Sequence, residues 1–311
     1  MTKNKHRYLF GPVPSRRLGR SLGVDIVPMK TCTQNCIYCQ LGKDAPQTLQ
    51  RKDYVSIEAV LNELEQKITE GLEADFITIS GSGEPTLHLH LGELIDGIRQ
   101  LTDIPIAIIT NSTLLYDPVV RQDCCKADVV LPSLDAGDPE TFRKMNHPHA
   151  DLDFKQFVDG LVRFRSEYSG GLWLEVFFCE DVNTDEASVR NIAELIGLIN
   201  PDKVQINTSV RPIVHADAVR VREERLNEIA ACLGPSVEVI TDFSQHTHAA
   251  GKAADLQAIL ETLRRRPCTL DDLCAGLGFS KEQLEPTLDK LLALSKITRE
   301  TIDQKKYYKA V

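Results

Sequence analysis

Runs of apolar residues alternate with helical patterns along most of the chain. Such alternation predicts repeated β-α units around a parallel sheet, and therefore an α/β fold. Six of the runs are typical of strands, too few for a closed eightfold barrel. The predicted strands are Leu22–Val27, Asp75–Ser80, Ile104–Thr110, Asp128–Pro132, Leu172–Phe178 and Lys203–Asn207.

The segments between these runs place apolar residues at helical spacing. In Ser56–Leu72 they recur at intervals of three and four residues, and Ser56 is a suitable N-cap. Asp151–Tyr168, Glu186–Ile199 and Arg222–Leu233 follow the same pattern. A further strand, Val237–Thr241, is predicted after the last of these helices.

The pattern changes after the last predicted strand. Small and polar residues dominate the stretch that follows, which is typical of a linker. Beyond it, three amphipathic segments precede an alternating segment, Ile297–Ala310, with a turn near Asp303. Three helices and a hairpin resemble a winged helix-turn-helix domain. The predicted division is a barrel at residues 1–244, a linker at 245–254 and the small domain at 255–311.

The charge of this small domain argues against an operator-binding role. Residues 255–311 carry ten basic and nine acidic side chains. The candidate recognition helix, Ser280–Leu294, carries more acidic than basic residues, a poor match to the phosphates of a DNA groove. Lys305 and Lys306 at the hairpin turn could still contact a phosphate backbone. We favour recognition of a substrate or protein over DNA binding.

Composition is ordinary for a globular protein, with 42% hydrophobic residues and a net charge of −9. No apolar run approaches a membrane span, and the polar Met1–Arg7 lacks a secretory core, so we expect a cytoplasmic protein. The charge is uneven, because six basic and no acidic residues precede Asp25. This basic region could help to hold an anionic substrate such as RNA, or it could be a solvated tail with a few arginines at the core edge.

Cys32, Cys36 and Cys39 are the most informative residues of the chain. They form a C-x3-C-x2-C triad within eight residues. A [4Fe–4S] cluster normally takes four cysteines, so three would leave one iron without a protein ligand. A zinc site is the alternative, but it needs a fourth Cys or His, and none follows before His88.

This triad resembles the signature of the radical S-adenosylmethionine (SAM) superfamily. The resemblance implies that SAM chelates the open iron and that the reduced cluster cleaves SAM to a 5′-deoxyadenosyl radical. It also implies a partial (β/α)6 barrel, which fits the number of predicted strands. Tyr38 occupies the position at which the family places a residue near the adenine of SAM; the less favoured alternative is that it fills a loop pocket.

A glycine-rich turn follows the second predicted strand. The run Ser80-Gly81-Ser82-Gly83-Glu84-Pro85 would let backbone groups approach a ligand closely. It resembles the Gly-Gly-Glu-Pro motif of the family, with Ser82 standing near where a glycine often falls. The resemblance implies that Gly81, Gly83 and Glu84 help to hold the amino group of SAM.

Polar residues at other strand ends would face the mouth of such a barrel. Asn111 follows one strand, and Ser133 and Asp135 follow the next. By resemblance, Ser133 and Asp135 contact SAM or the substrate; alternatively, Asp135 caps the helix beginning at Pro139 or makes an Asx-turn. Weaker candidates of the same kind are Glu175, Gln205, Asn207 and Arg211.

The six remaining cysteines form no second cluster motif, and we expect them to be small buried hydrophobic residues. His246 and His248 could bind metal but are better explained as loop residues. The segment Phe10–Arg17 resembles a subgroup related to the wyosine-base tRNA-modifying synthases. Those enzymes carry an upstream cysteine set for a second cluster, whereas no cysteine precedes Cys32.

We therefore expect an enzyme with one [4Fe–4S] cluster and SAM as cofactors. Its radical would abstract hydrogen from a substrate such as an RNA base, a peptide or a protein. A low-potential electron donor, such as flavodoxin or ferredoxin, is the implied partner, and no membrane is implied. The rival hypothesis is a regulator whose cluster senses redox state and whose winged helix binds DNA.

Overall fold

An eight-stranded sheet forms the centre of the protein. The computed structural model describes residues 8–41, 47–209, 218–240, 256–277, 279–302 and 305–311, so Arg211, His246, His248 and the predicted linker lie outside the described residues. The strands pair in chain order, β1 antiparallel to β2 and the others parallel. They are β1 Leu9–Ser15, β2 Gly19–Val24, β3 Phe76–Ile79, β4 Ile106–Thr110, β5 Val129–Pro132, β6 Gly171–Phe178, β7 Lys203–Thr208 and β8 Val237–Val239.

Helices connect the parallel strands, as the β-α pattern predicts. The Ser56 hydroxyl accepts a hydrogen bond from the Ala59 backbone, and the predicted N-cap is confirmed. Asp185 caps the helix Glu186–Ile199 in the same way, and Asn200 ends it in a left-handed conformation with φ of 52°. The helices are α1 Ile57–Thr69, α2 Leu91–Leu101, α3 Pro118–Cys124, α4 Pro139–Asn146, α5 Phe154–Glu167, α6 Glu186–Ile199 and α7 Glu223–Leu233.

The predicted fold class is confirmed: the sheet is mostly parallel and surrounded by helices, as in a partial barrel. One strand, β1, was not predicted. It contains Pro12 and Pro14, which cannot donate hydrogen bonds to a neighbouring strand. Proline is tolerated in edge strands, and β1 is the first strand of the sheet.

The side chains of β6 alternate between the two faces of the sheet, and the two faces differ in character. Alternate residues point to opposite faces of a strand. One face carries side chains that are fully buried in the main core: Leu172, Leu174, Val176 and Phe178. The inner face carries Trp173, Glu175 and Phe177. Trp173 packs on a small apolar cluster, formed by Leu18, Ala107, Val129 and Leu131, and Glu175 and Phe177 lie closer to the carboxyl end.

The C-terminal segment has its own hydrophobic core, which includes Ile259, Leu284 and Tyr308. Thr269 and Asp272 cap α9 reciprocally, since each side chain accepts a hydrogen bond from the backbone of the other. The three helices and the hairpin follow in the predicted order, but the short strand Cys268–Thr269 between the first two helices was not predicted. The winged-helix assignment and the domain limits remain predictions. The elements are α8 Leu256–Arg265, β9 Cys268–Thr269, α9 Leu270–Leu277, α10 Lys281–Ala293, β10 Ile297–Ile302 and β11 Lys305–Ala310.

Within the ranges that the structure describes, no helix has both the length and the apolar character needed to cross a bilayer.

Candidate active site

The cysteine triad lies in the loop that follows β2. A hydrogen bond of 3.0 Å from the Cys39 amide to the Cys36 carbonyl forms a turn between two of its members. The loop is also held by the end of α4, because the Ile37 amide donates to the Met145 carbonyl at 3.0 Å. The Thr33 and Thr113 hydroxyls also lie 2.7 Å apart. Residues far apart in sequence therefore hold the loop.

Two asparagines donate hydrogen bonds to the cysteine sulfurs. Asn111 Nδ2 lies 3.4 Å from Cys32 Sγ, and Asn146 Nδ2 lies 3.5 Å from Cys36 Sγ. Hydrogen bonds to ligand sulfurs orient the ligands and tune the potential of a cluster. Asn111 was predicted as a site residue, but Asn146 was not. It ends α4, and no motif in its surroundings distinguishes it from an ordinary helix terminus.

Burial makes these sulfurs unusual thiols. It raises the pKa of the Cys32 thiol to about 12 and that of Cys36 well above its usual value, with Glu84 and Asp135 adding to the respective effects. A thiol in such a place loses its proton only when a cation takes the place of that proton. All nine cysteines of the chain are free. The triad therefore suits a metal centre better than a disulfide.

The choice between zinc and an iron–sulfur cluster follows from the remaining ligands. Among the residues described, no three His, Cys, Asp or Glu side chains converge to hold one metal ion. His88, the first histidine after the triad, has Nε2 3.0 Å from the Val55 carbonyl, and its Nδ1 accepts from the His90 amide. Zinc needs four ligands on one ion, whereas a [4Fe–4S] cluster binds each cysteine through a different iron. The residues therefore fit the cluster.

The glycine turn packs directly on the triad loop. The Glu84 amide donates to the Thr31 carbonyl at 2.9 Å, and the Lys30 amide donates to the Ser82 carbonyl. At Gly83, a Cβ atom would overlap the Thr31 carbonyl oxygen and lie 2.8 Å from its carbon. Only glycine lets the two backbones approach so closely. The two motifs that the sequence identified separately thus form one unit.

Glu84 is a buried hub of this unit: its carboxylate lies inside and accepts hydrogen bonds from several residues. Its carboxylate accepts hydrogen bonds from Thr110 Oγ1 and from the Asn111 amide, both at 2.7 Å, and from Thr86. Burial raises the pKa of the Glu84 carboxyl, and these hydrogen bonds oppose that rise. The side chain positions Asn111, which in turn reaches Cys32.

We predict that Glu84→Gln lowers stability by about 1–3 kcal/mol, because an amide nitrogen would face buried donors. Chemical denaturation of the apoprotein measures this change. Glu65→Gln, an exposed site on α1, serves as the control and should change stability by less than about 0.5 kcal/mol. Equal stability of the two variants would contradict the hub role.

Tyr38 and Asp135 form a second buried network beneath Cys36. The Tyr38 hydroxyl donates to Asp135, and its ring stacks on Phe177 with centroids 4.0 Å apart. Asp135 also accepts from Asn146 Nδ2 at 2.7 Å and from the Phe177 amide at 2.9 Å. Burial raises its pKa to about 6. Asp138, not Asp135, caps α4, so the capping alternative for Asp135 was wrong.

The other predicted strand-end residues lie along the inner face of the sheet. The Ser133 amide donates to the Thr110 carbonyl, and Ser133 forms a bridge with Glu175. Glu175 pairs with Arg17, and Asn207 Nδ2 donates to Glu175 at 3.4 Å. Part of the basic N-terminal region thus turns into the barrel, a pairing that the sequence did not predict. Gln205 Nε2 donates to Glu238 at 3.2 Å, at the far edge.

Comparison with known proteins places this site in a family. The radical SAM superfamily model matches residues 26–173, which include the triad, the glycine turn and Asp135. A radical SAM domain uses a [4Fe–4S] cluster and SAM, the two cofactors predicted from the sequence.

This chain matches different shares of the lengths of two curated relatives. A protein named GTPase Obg from Brachyspira hyodysenteriae is 36% identical over 308 residues, 97% of this chain and 45% of that protein. The chain thus spans less than half of the length of this relative. A UPF0026 protein of Synechocystis sp. is 38% identical over 205 residues, 66% of this chain and 76% of that protein.

A solved structure of TYW1 with a lysine-pyruvate adduct bound has the same fold. It superposes with a TM-score of 0.53 and 18% identity, over 74% of this chain and 77% of that chain. At this identity the likeness concerns the fold alone. The sequence comparisons lead to one conclusion: the chain belongs to the UPF0026 family and contains a radical SAM domain.

Proposed function

We propose that the protein is a radical SAM enzyme with a single cluster, held by Cys32, Cys36 and Cys39. The observation that carries the proposal is the contact between the triad loop and the glycine turn, made by the Glu84–Thr31 and Lys30–Ser82 backbone hydrogen bonds. This contact brings the ligands of the cluster next to the backbone groups that would hold SAM.

When bound and reduced, the cluster supplies the electron that cleaves SAM to methionine and a 5′-deoxyadenosyl radical, which takes hydrogen from the substrate. The protein's residues bind and orient. Asn111 and Asn146 hold the sulfurs of Cys32 and Cys36 in place. The backbone of Gly81–Gly83 offers donors and acceptors for the amino acid part of SAM. The Tyr38–Phe177 stack offers an apolar surface for its adenine and excludes water.

The substrate would enter at the carboxyl ends of the strands, where ligands of such barrels bind. Below the Tyr38–Phe177 stack, the inner wall carries the Arg17–Glu175 pair, whose side chains are 17% and 14% exposed. Solvent therefore reaches an ion pair inside the barrel. A polar substrate, from which the radical takes a hydrogen atom, suits such a wall. We propose an RNA base or a peptide as the substrate class.

Anaerobic reconstitution with iron and sulfide, followed by SAM and a strong reductant, tests this function. We expect 5′-deoxyadenosine and methionine to form in equal amounts in the presence of the reconstituted protein, and chromatography with mass detection measures both. Protein without iron serves as the control. A cluster-loaded protein that forms no 5′-deoxyadenosine but binds duplex DNA in a salt-sensitive manner would overturn the proposal in favour of the regulator.

A further inference from the structure

Asp25 connects the glycine turn with the C-terminal segment. It follows β2 and is 5% exposed. Its Oδ1 accepts the Ser82 amide at 3.0 Å, and its Oδ2 accepts the Ser82 hydroxyl. The same Oδ2 lies 2.7 Å from Nε of Arg265, a residue 240 positions away at the end of α8. One carboxylate thus serves both parts of the chain.

Arg265 is held on several sides. Its Nη1 lies 2.9 Å from Glu261 Oε2, and its guanidinium stacks over the Phe10 ring at 5.0 Å from the centroid. The side chains of Arg265, Asp25 and Glu261 are all at most 10% exposed. Charges so deeply buried depend on one another, because removing one of them leaves its partners with less compensation.

The turn leaves no room for Asp25 to move. Gly81 adopts φ of +137°, and a Cβ atom there would lie 2.6 Å from Asp25 Cγ. On the opposite side, Gly83 lies against Thr31. The glycine turn is therefore held between the triad loop and the Asp25 carboxylate, and the orientation of that carboxylate depends on Arg265.

The Arg265 contact belongs to a broader contact with β1. Arg266 Nη1 donates to the Pro14 carbonyl at 3.2 Å. At Gly276 on α9, a Cβ atom would lie 2.8 Å from the Pro12 carbonyl oxygen, so α9 approaches β1 as closely as a glycine allows. The C-terminal segment therefore presents Arg265 from a fixed position.

We propose that Arg265 is a positioning residue for SAM: through Asp25 and its contacts with Ser82, it keeps the Gly81–Gly83 turn in the conformation that binds the amino acid part of SAM. The C-terminal segment thereby becomes part of the SAM site although it lies outside the radical SAM match. Because this role presupposes that the glycine turn binds SAM, it rests on the proposed function.

Arg265→Gln tests the role, with Arg264→Gln as the matched control. Arg264 precedes it on the same helix and pairs with the same Glu261, at 2.7 Å, but is 47% exposed. We expect Arg265→Gln to weaken SAM binding at least tenfold in calorimetry, at unchanged cluster content, and Arg264→Gln to change it less than twofold. Equal SAM affinity of Arg265→Gln and wild type would overturn the inference alone, whereas failure of the wild type to bind SAM would overturn the proposed function.

Hydrogen exchange of the apoprotein gives a readout independent of any cofactor. The Ser82 amide, protected by Asp25 in the wild type, should exchange at least tenfold faster in Arg265→Gln and at the wild-type rate in Arg264→Gln. A purely structural role predicts a general loss of protection instead, which would overturn the proposal.

A milder pair of variants guards against misfolding of Arg265→Gln. Arg265→Lys keeps the charge but loses the planar donor at Nε, and Ser82→Ala removes the hydroxyl contact to Asp25. If both substitutions act through Asp25, the double variant loses less SAM affinity than the product of the two single-variant losses. Independent, multiplicative effects would contradict the connection.

Discussion

Replacing Cys36 with alanine is expected to abolish both the visible absorbance of the cluster and the cleavage of SAM. A buried alanine supplies no ligand, so one iron loses its bond to the protein, and two cysteines retain a cubane cluster poorly. The variant should reconstitute to less than about a tenth of the wild-type iron content, since loss of one strong ligand costs more than ~1.4 kcal/mol, a factor of ten in binding. Iron analysis and 5′-deoxyadenosine formation measure the two effects.

Cys232→Ala is the matched control for this change. Cys232 lies on α7 and is exposed, so the prediction that the six remaining cysteines are buried was wrong for this residue. Its replacement should leave both iron content and SAM cleavage unchanged. If Cys36→Ala still cleaved SAM at the wild-type rate, the assignment of the three ligands would be wrong.

Gly83→Ala should have the second largest effect. The added methyl group would overlap the Thr31 carbonyl, and both partners are backbone groups that no rotamer change can move. The glycine turn and the triad loop must then separate. We expect SAM cleavage to fall more than tenfold and stability to fall by about 1–3 kcal/mol, as for other overpacked sites.

Gly197→Ala controls for the change of glycine to alanine itself. Gly197 lies within α6, and nothing lies within 4 Å of a Cβ atom built there. Alanine is the better helix former, so this variant should be slightly more stable and fully active. Thermal unfolding and 5′-deoxyadenosine assays compare the two variants. Wild-type activity of Gly83→Ala would show that the close approach of the two loops has no functional role.

The regular elements follow from the sequence where a single periodicity dominates. Helix α6 has the bounds that were predicted, Glu186–Ile199, because apolar spacing and the Asp185 and Asn200 caps agree. Strand β1 escaped prediction because two prolines and a glycine interrupt its pattern, and its place in the sheet depends on pairing with β2. Of helix α4 only the start at Pro139 was predicted, because the helix is too short to show a clear period.

The candidate site was predictable as a set of residues but not as a set of contacts. The motifs predicted Glu84 and Asp135 as site residues, and the structure links both to the triad loop, through Asn111 and Tyr38. The structure buries both carboxylates among protein donors, a fact that depends on Thr110, Phe177 and Asn146 from other elements. Asp25 belongs to no motif, and its contact with Arg265 emerges only when α8 is placed beside β2.

The contact between the C-terminal segment and β1 also bears on self-association. An edge strand offers unpaired backbone groups to any other chain that can add a strand. In β1, Pro12 and Pro14 remove two of the donors, and helices α8 and α9 pack against the strand. Helix α8, which carries Arg265, thus also helps to cover the edge of the sheet against the addition of a strand from another chain.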